Sequence, residues 1–195
     1  MSNTLILASQ SPRRKELLQQ LGYNFTCAPA DMDERVLTAE KPEQYVARLA
    51  LEKAAAIAHN RCADVVVLGA DTSVIFGERI LGKPESLSDC LTMLSMLSGN
   101  THQVITAIAV VKGERSEVVV VNTEVDFKIL TAAEITRYWQ TGEPQDKAGA
   151  YGIQGIAGQF VKHIRGSYSA VVGLPLYETA QLLTAFGVKS SMTAD

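Results

Sequence analysis

A buried hydrophobic run that leads into an acidic side chain gives the first candidate for chemistry. Residues 65–68 are Val-Val-Val-Leu, which is typical of a strand buried on both faces. Gly69 and Ala70 then interrupt the run, so we expect the strand to end there and to present Asp71 and Thr72. Ligands collect where the strands of open α/β sheets end, and Gly69 leaves room for a ligand to approach the backbone. Asp71 is therefore a candidate general base or metal ligand, although an ordinary turn fits the pattern equally well.

Two arginines fall in the first turn of a predicted helix. Ser11 is a good N-cap, Pro12 suits the first helical position, and residues 15–22 carry leucines at helical spacing. Cations in a first turn oppose the helix dipole at a cost of roughly 0.3–1 kcal/mol each. An anion bound there would reverse that sign, because free backbone N–H groups and both guanidinium groups would converge on it. Arg13 and Arg14 therefore mark either a phosphate site or a solvated basic turn.

Lys53 interrupts the hydrophobic stripe of a second predicted helix, residues 42–59. A lysine on a buried face either extends its ammonium group to water or meets an anion, and the spacing leaves both open. The acidic stretch at residues 31–35 precedes this helix. It is either a solvated connection or a source of carboxylates for a hard cation.

Two further segments combine glycine with charge. A predicted hairpin at residues 74–81 leads into Gly82-Lys83-Pro84, where proline makes the backbone rigid just after the lysine. Glycines are also concentrated in residues 142–158, around Gln154. Such density is typical of a loop whose backbone meets a ligand, but a cluster of structural turns is equally allowed.

The composition is that of an ordinary soluble globular protein. The 195 residues are 47% hydrophobic and 20% charged, with a net charge of −3, which argues against a nucleic-acid protein. The three cysteines form neither a CxxC pair nor an even set, as expected of reduced thiols in the cytoplasm. No apolar run approaches the length of a membrane span, so we expect no membrane partner.

Alternating strand and helix patterns predict an α/β fold that positions these side chains. One domain over residues 1–195, with two lobes, is expected from the length. Strands are predicted at residues 4–8, 24–28, 65–68, 101–111, 118–130 and 160–164, in addition to the two short strands of the hairpin at residues 74–81. Besides the two helices above, helices are predicted at residues 86–97, from a capping box at residues 131–134, and after Gly173-Leu174-Pro175.

Five motifs in a fixed order resemble those of the Maf family of nucleoside triphosphate pyrophosphatases. The resemblance runs from about Leu5 to Phe186, nearly the whole chain. The motifs are Ser9-x-Ser11-Pro12-Arg13-Arg14, Gly69-Ala70-Asp71-Thr72, Gly82-Lys83-Pro84, residues 146–155 (Asp-Lys-Ala-Gly-Ala-Tyr-Gly-Ile-Gln-Gly), and Gly166-Ser167-Tyr168 with Val172-Gly173-Leu174-Pro175.

The resemblance implies a cytoplasmic enzyme that hydrolyses a nucleoside triphosphate to the monophosphate and pyrophosphate with a divalent cation, Mg²⁺ or Mn²⁺. It implies a long mixed sheet flanked by helices in two lobes, with the active site in the cleft between them, and a homodimer. Asp71 would be the catalytic residue, and Asp71 and Glu34 would bind the metal. The side chains expected to bind phosphate are Arg13, Arg14, Lys53 and Lys83.

Within the family, Arg13, Thr72 and Gln154 resemble the branch that acts on dTTP and UTP. CTP and modified pyrimidine nucleotides are further candidate substrates. Two alternatives are a 7-methyl-GTP pyrophosphatase and a nucleotide-binding regulator of cell division without catalysis. A kinase or a cysteine phosphatase is disfavoured, because the sequence has neither a GxxxxGK[ST] loop nor a Cys-x5-Arg loop.

Overall fold

The structure, a computed structural model, describes residues 4–193. Its strands are β1 (Leu5–Leu7), β2 (Phe25–Cys27), β3 (Val66–Phe76), β4 (Arg79–Leu81), β5 (Thr101–Lys112), β6 (Arg115–Phe127) and β7 (Val161–Arg165). Its α-helices are α1 (Pro12–Gln20), α2 (Pro42–Ala58), α3 (Leu87–Leu97), α4 (Ala132–Gln140), α5 (Tyr168–Val172) and α6 (Leu176–Ala185). Short 3₁₀ helices occupy Glu143–Asp146, Ala148–Ala150 and Ile156–Phe160.

The described strands form one mixed sheet of seven strands, in the order β2-β1-β3-β5-β6-β7 with β4 paired to β3. β1 runs parallel to β2 and β3, whereas β4 is antiparallel to β3 and β7 is antiparallel to β6. Together with the helices this confirms the predicted α/β class with a mixed sheet. Among the described α-helices, only α5 was not predicted by the sequence patterns.

β3 corrects the prediction that a strand ends at Gly69. The strand continues through Asp71 and Thr72 to Phe76 and then turns into β4, with Val74 opposite Leu81. A break in a hydrophobic run was taken for the end of a strand, but small and polar residues stay inside β3. The alternative of a turn at Asp71 is also wrong, since this carboxylate lies in the middle of an eleven-residue strand.

The helix ends follow the sequence signals closely. The side chain of Ser11 accepts a hydrogen bond from the backbone N–H of Arg14, and α1 begins at Pro12 as predicted. Ser86 caps α3 in the same way, and Thr131 and Glu134 form the predicted capping box of α4. These local contacts satisfy N–H groups that the first turn of a helix leaves without partners.

The chain divides into two compact units. The first contains the residues up to Asp71, Thr106–Val121 and the residues from Gly173 onward; the second contains Thr72–Ile105 and Asn122–Val172. The core of the second unit includes an aromatic cluster of His102, Phe127, Tyr138, Tyr151 and Phe160. That the chain is a single domain over residues 1–195 stays a prediction. No helix within residues 4–193 is long and apolar enough to cross a membrane.

Candidate functional site

Lys53 lies between two carboxylates in the first unit. Its Nζ is 2.7 Å from Asp71 Oδ1 and 2.7 Å from Glu34 Oε1. Lys53 is only 8% exposed and Asp71 7%, so the ammonium group does not extend to water. Of the two outcomes left open by the sequence, Lys53 therefore meets an anion, and in the structure that anion is a pair of carboxylates.

Gly69 brings α2 close enough to β3 for this contact to form. A Cβ built on Gly69 would lie 2.2 Å from the carbonyl oxygen of Ala50 and 2.9 Å from the backbone nitrogen of Ala54. The space expected for a ligand at Gly69 is thus filled by the backbone of α2, so that interpretation was wrong. Lys53 is adjacent to Ala54 in α2, and Asp71 lies two residues after Gly69 on the same face of β3. The glycine therefore helps to set the distance between the two charged groups.

The first turn of α1 adds positive charge to the same unit. Arg14 donates from Nε to the carbonyl of Gly173 at 2.9 Å and from Nη1 to Ser9 Oγ at 3.4 Å. Burial lowers the pKa of Arg14, and the charge of Asp71 opposes that shift. Arg13 adds a further downward shift to this pKa, whereas Glu34 raises it. The electrostatic coupling links the arginines of α1 with the carboxylates around Lys53.

Tyr45 is a site-associated residue that the sequence reasoning missed. Its Oη donates to the carbonyl of Glu34 at 2.8 Å. Burial, followed by the negative charges of Asp71 and Glu34, raises the pKa of Tyr45 to about 12. The available signal was helical spacing, since Tyr45 precedes Lys53 by eight residues and therefore lies near the same face of α2.

Lys83 and the glycine-rich segment come together in the second unit. Lys83 is exposed just after β4, and the preceding residue, Gly82, accepts a hydrogen bond from the backbone N–H of Gly149 at 2.9 Å. Two motifs separated by more than sixty residues in the sequence are thus joined through their backbones. The contact fixes the position of the backbone next to Lys83, while the side chain of Lys83 remains exposed.

Gln154 is exposed in a tight turn that a half-buried acceptor, Glu143, holds in place. The N–H of Gly155 donates to the carbonyl of Gly152 at 3.1 Å, which closes the turn around Gln154. Glu143 then accepts hydrogen bonds from the backbone N–H groups of Ile156 at 2.7 Å and Ala157 at 3.2 Å. A Cβ on Gly155 would lie 2.3 Å from Glu143 Oε2, so any larger residue there would displace this carboxylate from the N–H groups that it accepts from.

Tyr138 completes the support of this turn. Its Oη donates to Glu143 Oε1 at 2.8 Å and accepts from the N–H of Gly152 at 3.3 Å. Burial raises the pKa of Tyr138, and the hydrogen bond to Glu143 raises it further. The sequence patterns did not single out Glu143, because its backbone donors lie more than ten residues further along the chain.

The predicted site residues thus fall into two groups. The first unit gathers Glu34, Lys53 and Asp71 with the arginines of α1, and the second contains Lys83 and Gln154. Thr72 follows Asp71 in β3, and successive strand side chains point to opposite faces of a sheet. The side chain of Thr72 therefore lies on the face of β3 opposite to that of Asp71. Its role in specificity stays a prediction.

The carboxylates of Glu34 and Asp71 suit a hard divalent cation. Both approach one positively charged atom, Lys53 Nζ, at 2.7 Å, so their oxygens already face a shared position. Within residues 4–193 no group of three or more His, Cys, Asp or Glu side chains could hold a metal ion. Mg²⁺ is commonly bound through one or two carboxylates, with phosphate oxygens and water as its remaining ligands. Two carboxylates are a donor set of that kind, and in the structure Lys53 Nζ lies at the position they share.

Comparison with known proteins now identifies the family. The family model described as "Maf-like protein" matches residues 4–186. The chain belongs to the Maf family. The Maf protein described here is 59% identical to a dTTP/UTP pyrophosphatase from Colwellia psychrerythraea, over 98% of this chain and 92% of that protein. It is 58% identical to a dTTP/UTP pyrophosphatase from Pseudoalteromonas atlantica, over 92% of this chain and 95% of the relative.

A solved structure also shares the fold of this Maf protein. A HAM1 protein from Coxiella burnetii matches with a TM-score of 0.50 and 16% identity, over 95% of this chain and all of that one. At this identity the similarity concerns the fold alone. The resemblance seen in the five sequence motifs is confirmed by the family match, which spans almost the same residues.

Proposed function

We propose that the protein is a nucleoside triphosphate pyrophosphatase that hydrolyses dTTP and UTP to the monophosphate and pyrophosphate. The observation that carries the proposal is the Glu34–Lys53–Asp71 cluster, which combines two candidate metal ligands with a buried cation. The names of relatives at 58–59% identity support the substrate class. CTP and modified pyrimidine nucleotides are further candidates.

Hydrolysis between the α and β phosphates needs charge neutralisation and a positioned water. Asp71 would accept the proton of the attacking water or hold the cation, and Glu34 would supply the second carboxylate. A divalent cation, Mg²⁺ or Mn²⁺, would neutralise phosphate charge and lower the pKa of a bound water. The water oxygen ends on the nucleoside monophosphate, and the broken anhydride bond leaves its electron pair on pyrophosphate.

Four cations would bind the triphosphate and the departing pyrophosphate, namely Arg13, Arg14, Lys53 and Lys83. Arg14 is already oriented by Gly173 and Ser9, so less side-chain freedom would be lost when phosphate binds. Lys53 interacts with two carboxylates in the structure. Its predicted contact with phosphate therefore requires that the ammonium group also reach the substrate or leave one of these partners.

Base selection is assigned to Gln154, with Arg13 and Thr72. Uracil and thymine present acceptor, donor and acceptor groups along one edge, and an amide offers one donor and one acceptor. The exposure of Gln154 in a fixed turn supports this role. A carboxylate would suit the adjacent donors of 7-methylguanine better, which disfavours the alternative of a 7-methyl-GTP pyrophosphatase.

The direct test incubates the purified protein with Mg²⁺ and each of dTTP, UTP, CTP, ATP, GTP and 7-methyl-GTP. Release of monophosphate and pyrophosphate in equal amounts, fastest from dTTP or UTP, is the expected result. Nucleotide binding without product from any substrate would instead support the regulator of cell division. The homodimer and the cytoplasmic location implied by the family resemblance are further predictions. Light scattering on the purified protein would test the homodimer.

A further inference from the structure

The loop that carries Glu34 has little hydrophobic packing of its own. It joins β2 to α2 and contains no helix or strand. Val36 and Leu37 are about half exposed, at 50% and 56%. A segment with few buried apolar contacts is expected to open locally at low free energy. The position of the Glu34 carboxylate must therefore depend on polar contacts.

Two side chains of α2 supply those contacts on consecutive peptide groups. Tyr45 Oη donates to the carbonyl of Glu34 at 2.8 Å, and Arg48 Nη2 donates to the carbonyl of Arg35 at 3.0 Å. The first carbonyl is that of Glu34 itself, and the second is that of the next residue. Fixing them restricts the direction in which the Glu34 side chain leaves the loop.

Arg48 is itself held in a fixed geometry. Its Nε and Nη2 donate to the two oxygens of Glu40 at 2.6 and 2.8 Å, and Nη1 donates to Glu52 at 3.0 Å. Glu40 Oε2 also accepts from the backbone N–H of Leu37 at 2.9 Å. The hydrogen bond from Arg48 lowers the pKa of Glu40 to about 2, so this pair stays charged near neutral pH. A lysine could not reproduce the bidentate fork.

We propose that Tyr45 and Arg48 are positioning residues that hold the Glu34 carboxylate against Lys53 and Asp71, where it can bind a divalent cation. The inference rests on the proposed function for the role of the cation. It goes beyond that function by assigning the order of the acidic loop to two side chains of α2. Neither residue needs to touch the substrate.

The first test measures how readily the loop opens and requires no catalytic turnover. Arg35 is exposed, so trypsin can cleave after it when the loop opens. Compared with the wild type, Arg48→Met should be cleaved after Arg35 at least about tenfold faster, and Tyr45→Phe several-fold faster. Hydrogen exchange at the Leu37 amide should accelerate in parallel. Glu52→Gln is the matched control, because it removes a partner of Arg48 that lies outside the loop.

The second test reads the cation. Removing a group that orients a metal ligand typically weakens metal binding by about 10–100-fold. Calorimetric titration with Mn²⁺ in the absence of nucleotide should show such a loss for Arg48→Met and a smaller one for Tyr45→Phe. The Mg²⁺ concentration that half-activates pyrophosphate release should rise equally, while kcat at saturating Mg²⁺ stays within about threefold. Arg48→Lys should be intermediate.

The outcomes separate this inference from the proposed function. Unchanged cleavage and Mn²⁺ affinity in both Tyr45→Phe and Arg48→Met would overturn the positioning role, even if the wild type is an active pyrophosphatase. A lower kcat with unchanged metal dependence would also overturn it. If the wild type released no pyrophosphate, the proposed function would fail, and the trypsin and Mn²⁺ measurements would still decide the positioning role. Tyr45→Phe keeps the test valid if Arg48→Met does not fold.

Discussion

Two irregular segments carry predicted site residues, and they are held in opposite ways. The loop between β2 and α2 carries Glu34, and Arg48 fixes it by donating to a backbone carbonyl. The glycine-rich segment carries Gln154, and Glu143 fixes it by accepting from backbone N–H groups. A positively charged side chain, Arg48, therefore holds the loop that carries Glu34. A negatively charged side chain, Glu143, holds the segment that carries Gln154.

The two segments also differ in what lies beneath them. The acidic loop exposes Val36 and Leu37 and depends on polar contacts from one helix. The glycine-rich segment contains Tyr151, which packs edge-to-face on His102 and Phe127 in a buried aromatic cluster. Aromatic contacts of this kind contribute about 0.5–1.5 kcal/mol each beyond the area they bury. Damage to the first segment should therefore appear in metal dependence, and damage to the second in stability and substrate choice.

The largest effect is expected from Asp71→Asn, which removes the negative charge beside Lys53 in the first unit. The amide preserves shape but neither accepts a proton nor binds a hard cation well. We expect kcat to fall by about 10³-fold, equivalent to about 4 kcal/mol, with nucleotide binding largely retained. Asp33→Asn is the control, since Asp33 is exposed and pairs with Arg35. A residual rate of one tenth in Asp71→Asn would exclude a catalytic role for this carboxylate.

Glu143→Gln should destabilise the glycine-rich segment. The amide nitrogen cannot accept from the N–H groups of Ile156 and Ala157, so at least one donor loses its partner. A loss of roughly 2 kcal/mol in the free energy of unfolding is expected, together with a higher KM for dTTP. Urea unfolding and steady-state kinetics measure both. Asp146→Asn, in the same short helix, should leave stability near that of the wild type, and equal effects in the two variants would contradict the role of Glu143.

Gln154→Glu should change selectivity without changing the fold. The carboxylate would place acceptors opposite the carbonyl oxygens of uracil or thymine, while the phosphate contacts remain. Values of kcat/KM for dTTP and UTP should fall at least about tenfold, or about 1.4 kcal/mol, with any gain toward 7-methyl-GTP smaller. Gln159→Glu, nearby in the same segment, serves as the control. If both variants keep wild-type values, Gln154 does not read the base.

The smallest effect concerns pH and belongs to the second region alone. His102 Nε2 lies 2.9 Å from Tyr151 Oη, and burial lowers the pKa of His102 to about 4. Below pH 6.5 the unfolded chain takes up a proton that the folded protein refuses, so stability falls as pH decreases towards 4. Between pH 6.5 and 5.5 this histidine should lower the free energy of unfolding by about 1 kcal/mol.

His102→Asn should remove that part of the pH dependence, whereas His59→Asn, at an exposed histidine, should not. Urea unfolding at the two pH values measures the difference directly. Identical pH dependence in His102→Asn and the wild type would mean that His102 is not the acid-sensitive group beneath the glycine-rich segment.

The sequence predicted elements whose signals are local. The N-caps Ser11, Ser86 and Thr131 act within four residues, and each marks the start of its helix correctly. β3 was cut short because its pattern changes at Gly69, where packing against α2 determines the residue type. A strand that crosses a polar site cannot be followed by hydrophobic periodicity alone.

The candidate site was predicted as a set of charges but not as an arrangement. Lys53 was recognised because it interrupts a hydrophobic stripe, yet its two carboxylate partners depend on tertiary contacts. Arg48 gave no such signal, because an exposed-face arginine near two glutamates looks like an ordinary surface ion pair. Glu143 likewise resembles a loop acid until its backbone donors are located.

The contact at Gly69 gives the site a one-sided tolerance to mutation. Backbone already faces the position where a Cβ would lie, at 2.2 Å from the Ala50 oxygen, so any substitution can only push α2 outward. Tyr45, Arg48 and Lys53 are carried on that one helix and would move together. Because the clash is with backbone atoms of α2, no side-chain substitution on α2 can remove it. The contacts of the site could be restored only by longer side chains that reach across the wider gap.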